Sequence, residues 1–106
     1  MENYKVSINN IDEDDEVSGL YEIKYFNNTG VKLAQFEFDV DEINNLNSSV
    51  SDFNKLKYND KITIFNKFVE SLFNNTGTGG LYFIMTNGER SITFKDEYMN
   101  LLHKLL

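Results

Sequence analysis

The residue types best suited to chemistry in this chain are carboxylates. Asp12, Glu13, Asp14, Asp15 and Glu16 form an unbroken acidic run, and Glu37, Asp39 and Asp41 follow at spacings of two, with Glu42 behind them. A run of like charges this dense must stay in water, because burying an unpaired charge is strongly unfavourable. A spacing of two on an extended chain puts side chains on one face. Glu37, Asp39 and Asp41 therefore read as an acidic stripe. Such an array could attract a basic surface, hold a divalent cation or, in close pairs, move protons.

The cation and proton readings fit poorly. A calcium loop of the EF-hand type needs Gly at position six and Glu at position twelve. Counted from Asp12, those positions are Val17 and Ile23. Acid–base work by paired carboxylates needs a pocket that drives their pKa values apart, and no pattern here builds one. With no cysteine, thiolate metal sites are excluded. His103 is the only histidine, and it sits near the end of a helical stretch where positive charge suits the helix dipole. The glycines of Gly77-Thr78-Gly79-Gly80 run from a helix into a strand with no Lys after them, unlike a phosphate-cradling loop. They read as a connection. The chain is therefore expected to be no enzyme, with no catalytic residues, metal ligands or cofactors.

Attraction of a basic surface remains. The chain has 106 residues and a formal net charge of −7, and that charge is uneven. Residues 1–42 hold eleven acids against three lysines, whereas residues 43–106 hold six acids against seven bases. A surface of this kind repels nucleic acid and anionic membranes over a Debye length and draws in basic partners. Fifteen aromatic residues could stack on nucleobases, but that mode also needs a basic groove. Core packing accounts for most of them; Tyr21, Tyr25 and Tyr58 are expected to be partly exposed interface anchors. The start, Met1-Glu2-Asn3-Tyr4-Lys5, enters no apolar leader segment, and no stretch approaches the roughly 20 apolar residues that span a bilayer. A cytoplasmic location is expected.

The elements that must hold these carboxylates follow from hydrophobic periodicity. Residues 3–9 alternate as a strand. Residues 19–26 alternate again, and Asn27-Asn28-Thr29-Gly30 supplies a hairpin loop. The next strand starts with Val31 and Leu33 inward and ends with Phe36, Phe38 and Val40 inward. That shift of phase predicts a β-bulge near Ala34-Gln35. Ile43, Leu46, Val50, Phe53 and Leu56 mark a first helical face capped by Asp39 or Asp41, with a weak point near Ser48. A second helix carries Ile62, Phe65, Phe68, Val69 and Leu72, capped by Asn59 or Asp60 and ended by Gly77. Leu81–Met85 reads as a strand covered on both faces or a central one, Asn87-Gly88 as a hairpin, and Ile92 and Phe94 as the return strand. Asp96 caps a last helix with Tyr98, Leu101, Leu102 and Leu105 on its apolar side.

The expected fold is thus α+β, one domain over residues 1–106. Its order is β-β-β-α-α-β-β-α: a single antiparallel sheet of about five strands with helices packed on one face. The expected function is inhibition by binding. Asp12–Glu16, Glu37, Asp39, Asp41 and Glu42 would neutralise a basic protein, such as a nucleic-acid-binding enzyme, with carboxylates standing in for phosphates. Toxin-immunity proteins and phage anti-defence or anti-CRISPR proteins share this profile of size and charge, by analogy alone. The alternative is a non-catalytic structural module, in which strand edges and Leu101, Leu102, Leu105 and Leu106 build a homodimer.

Overall fold

A computed structural model describes residues 4–12, 18–43, 50–74 and 79–106. Alternating sequences form three long strands, β1 (Tyr4–Asn10), β2 (Leu20–Asn27) and β3 (Lys32–Asp39). Two helices follow, α1 (Val50–Asn54) and α2 (Tyr58–Phe73), then β4 (Leu81–Ile84), β5 (Arg90–Ser91) and α3 (Phe94–Leu105). All five strands pair antiparallel in the spatial order β1-β2-β3-β4-β5. The α+β class and the element order are those expected from the sequence.

The turns follow from their residues. Asn27 Oδ1 accepts from the backbone N–H groups of Thr29 and Val31 at 3.0 and 2.9 Å, which closes the β2–β3 hairpin with Gly30 at positive φ. Asn87-Gly88 closes the β4–β5 hairpin in the same manner, with Asn87 Oδ1 accepting from Glu89 N. The phase slip in β3 is real. Tyr25 pairs with Ala34 and Phe26 with Lys32, so the extra residue is Leu33, just before the expected place. Val31, expected inward, lies ahead of the bulge and is exposed.

One face of the sheet carries the core. Ile8, Tyr21, Ile23, Tyr25, Ala34, Phe36 and Phe38 point toward the helices and meet Phe53, Phe65, Phe68, Val69, Phe94 and Leu101. Phe38 lies 5.0 Å from Phe65 and 5.5 Å from Tyr21 between ring centroids, and Phe36 lies 4.7 Å from Phe94. These spacings are those of favourable tilted and stacked ring pairs. Tyr21 and Tyr25, expected to be partly exposed, are only 1% and 5% exposed. The Tyr21 hydroxyl donates to Oδ1 of half-buried Asn54, and the Tyr25 ring packs edge-on against Phe36 and beside Tyr4. Only Tyr58 of the three is exposed.

Several boundaries differ from the sequence reading. Helix α2 starts at Tyr58, so Asn59 and Asp60 lie inside its first turn and Lys57 holds the cap position without a side-chain bond. Its C-cap is Asn74; Gly77 lies outside the described residues. The return strand β5 ends at Ser91. Ile92 is 91% exposed, and Phe94 is already helical and buried. Thr93, not Asp96, stands at the cap of α3, and Asp96 sits in the first turn where its charge suits the helix dipole. The apolar stretch of β4 is explained by its central place: Leu81 and Ile84, on opposite faces by alternation, are both buried.

Candidate acidic interface

The face of the sheet turned away from the helices begins the site. Strand alternation places Glu22, Lys24, Gln35, Glu37, Tyr82 and Arg90 there. Glu22 and Glu37 are direct cross-strand partners, and Tyr82 is the next in the same row. Like charges directly opposite one another destabilise a sheet, so each needs a counterion. Arg90, the only arginine, donates through Nε to Glu37 Oε1 at 3.0 Å and lies 5.0 Å over the Tyr82 ring. Lys24 Nζ is 3.4 Å from Glu22 Oε1, and Gln35 Nε2 also reaches Glu22. Glu22 and Glu37 are thus neutralised within the fold.

At the end of β3 the situation differs. Asp39 is half-buried, and its Oδ1 accepts from the backbone N–H of Asp41 at 3.0 Å. Its carbonyl accepts from Glu42 N at 3.0 Å. Asp39, one of the two residues expected to cap a helix, caps a tight turn, since Asp favours this local bond to the backbone two residues on. The turn rests on Gly80. Asp39 N donates to the Gly80 carbonyl at 2.8 Å, and Gly80 has φ of +83°. A Cβ at Gly80 would lie 2.9 Å from both the Asp39 carbonyl oxygen and Glu42 Cβ, so no other residue fits without a shift.

Burial pushes the Asp39 carboxyl above its ordinary value, and the neighbouring charges of Glu42 and Asp41 add to this. The bond from Asp41 N and the more distant Arg90 oppose it. Glu42 Oε2 accepts from the Tyr82 hydroxyl at 3.0 Å, which raises the Tyr82 pKa. Asp41 and Glu42 are exposed, and neither has an ion pair among the described residues.

The topology adds Asp12 to this corner. Asn10 pairs with Tyr21 and Leu20 with Asp39, while Val40 N donates to the Gly19 carbonyl. The end of β1, the start of β2 and the end of β3 therefore share one end of the sheet. Asp12 is exposed there, accepting from Ser18 Oγ at 3.0 Å. Glu13, Asp14, Asp15 and Glu16 lie outside the described residues. Of the carboxylates named from the sequence, Asp12, Asp39, Asp41 and Glu42 share this end of the sheet. Glu37, two residues before Asp39 on the same face of β3, is bound to Arg90.

Tyr82 and Arg90 were missed by the sequence reading. The Asn87-Gly88 hairpin was the available signal that they lie near one another; the pairing of β4 with β3, which brings both to Glu37, crosses two helices and leaves no local trace. Among the described residues no group of three carboxylate or imidazole side chains is placed to hold a metal ion, and no helix is long and apolar enough to cross a membrane. The Leu-rich end is divided: Leu101 is in the core, Leu102 and Leu105 are half-buried, and Leu106 is exposed. No protein-family model, no curated protein and no solved structure matches this chain.

Proposed function

We propose that this chain acts without catalysis, by binding a basic protein through the acidic corner formed by Asp12, Asp39, Asp41 and Glu42. The observation that carries the reading is the difference in pairing: Arg90 and Lys24 occupy Glu37 and Glu22, while Asp41 and Glu42 keep their charge for a partner. A fixed array of exposed carboxylates steers a basic protein and sets its register. The Gly80 contact and the Asp39 turn fix the backbone from Asp39 to Glu42, so little ordering entropy is lost there on binding. A basic nuclease or a nucleic-acid-binding defence effector, met in the cytoplasm, has the Arg/Lys channel such an array would occupy.

The test is capture from the native host with immobilised protein, eluted by a salt gradient. A basic protein retained by the wild type and lost from Asp41→Asn/Glu42→Gln supports the reading. A captured set that is the same for both proteins contradicts it.

A further inference from the structure

Among the described residues the sheet ends in two unlike edges. β5 has two residues and offers almost no backbone to a neighbour; β1 has seven and forms the other edge. Long unpaired edges are templates for strand addition, which proteins usually blunt with proline, bulges, shortness or charge. β1 contains no proline, no bulge in its pairing and a single charge, Lys5. The hydrogen-bond phase shows which groups are open. Ile11 N donates to the Leu20 carbonyl. In an antiparallel ladder the bonded residues alternate, so Asn9, Ser7 and Lys5 face β2. The N–H and C=O groups of Tyr4, Val6, Ile8 and Asn10 face outward.

Beside this edge lies a groove of about 400 Å³ between β1, α2 and α3. Tyr4, Val6, Ile62 and Phe73 give it apolar walls, while Asn66 and Glu70 of α2 bring polar groups to it. Glu70 is exposed and has no ion pair among the described residues. A strand added to β1 would direct alternate side chains toward this groove. Long cationic side chains fit it best, because their stems cover apolar surface while the head reaches a carboxylate. Following β1 away from Tyr4 leads to Asp12 at the acidic corner.

We infer that the β1 edge and its groove accept an extended basic segment of the partner, bound as a sixth strand with Lys or Arg side chains over the groove and toward Glu70. The inference rests on the proposed binding of a basic protein and names how part of that protein is held. A second copy of this chain is the weaker occupant, since each copy carries a net charge of −7.

The test uses the full ¹⁵N-labelled chain and a capped seven-residue peptide alternating arginine and threonine. A second peptide of identical charge carries backbone N-methyl groups on its pairing edge. The inference predicts shifts and slowed exchange at the Val6, Ile8 and Asn10 amides. N-methylation should weaken binding by about tenfold or more through the lost backbone bonds. Glu70→Gln, at an exposed site that leaves the fold intact, should weaken it roughly two- to fivefold. Equal affinity for both peptides, or binding of neither, overturns strand addition. Shifts confined to Asp39–Glu42 overturn it while leaving the acidic corner standing. Protection of the β1 amides that rises with protein concentration alone would overturn it in favour of self-pairing.

Discussion

Two groups of carboxylates lie within a few residues of each other on this sheet, and the fold treats them differently. Glu22 and Glu37 face each other across β2 and β3, and Lys24 and Arg90 neutralise them. Asp39, Asp41 and Glu42 sit where β3 ends, held by backbone and hydroxyl donors that leave their charge in place. A uniform count of acids hides this division. The first group solves a problem internal to the sheet, like-charge repulsion between neighbours. The second forms no ion pair among the described residues, and Asp41 and Glu42 are exposed.

The largest change to this contrast should come from a residue without charge. Gly80→Ala forces a Cβ against the Asp39 carbonyl and Glu42, at a backbone angle that alanine avoids. It should destabilise the protein by about 1–3 kcal/mol, measured by urea unfolding. It should also weaken capture of the basic partner although the net charge is unchanged. Full stability in this variant would mean that the corner is not held by this contact.

Arg90→Ala should blur the contrast from the other side. It releases Glu37 opposite Glu22, and the loss of a part-exposed ion pair should destabilise the fold by about 0.2–1 kcal/mol. The freed carboxylate adds outward charge, so association with a basic partner should become faster and more salt-sensitive. Stopped-flow rates across a salt series would show this; unchanged rates would mean that Arg90 does not mask Glu37.

Two smaller effects are read by titration. Glu42→Gln removes the charged acceptor of the Tyr82 hydroxyl, so the Tyr82 pKa should fall toward the ordinary tyrosine value in an ultraviolet titration. Asp39 has a carboxyl pKa raised in the folded state, above 3.8. The folded state therefore binds its proton more tightly than the unfolded state does. Its contribution to stability is fully present below 3.8 and is lost as pH rises through the raised value. Asp39→Asn keeps an oxygen for Asp41 N and should remove this loss, which unfolding curves from pH 3 to 6 would detect. Across the same window, partner binding by the wild type should strengthen as Asp39 ionises.

The pattern of the long strands was legible because alternation and Asn-Gly turns are local signals. The bulge was readable too, since Phe36 and Phe38 must share a face with Ile23 and only an extra residue reconciles them with Leu33. Helix starts were misplaced at Asn59, Asp60 and Asp96. Good capping residues there lie in the first turn instead, where acidic side chains also suit the helix dipole. The acidic corner was half legible. Spacing placed Glu37, Asp39 and Asp41 on one strand, but it treated them as one stripe. Only the β3–β4 pairing brings Arg90 to Glu37 and Gly80 to Asp39, and such long-range register leaves no mark in nearby sequence.

The most direct test compares two variants of equal net charge. Asp41→Asn/Glu42→Gln removes two corner carboxylates, and Glu22→Gln/Glu37→Gln removes the two that Lys24 and Arg90 pair with. The measurement is the salt concentration at which the captured basic partner elutes from each. The division described above predicts early elution from the corner variant, with association slowed about tenfold, and near wild-type elution from the Glu22/Glu37 variant. Equal loss from both variants, or greater loss from the Glu22/Glu37 variant, would contradict it.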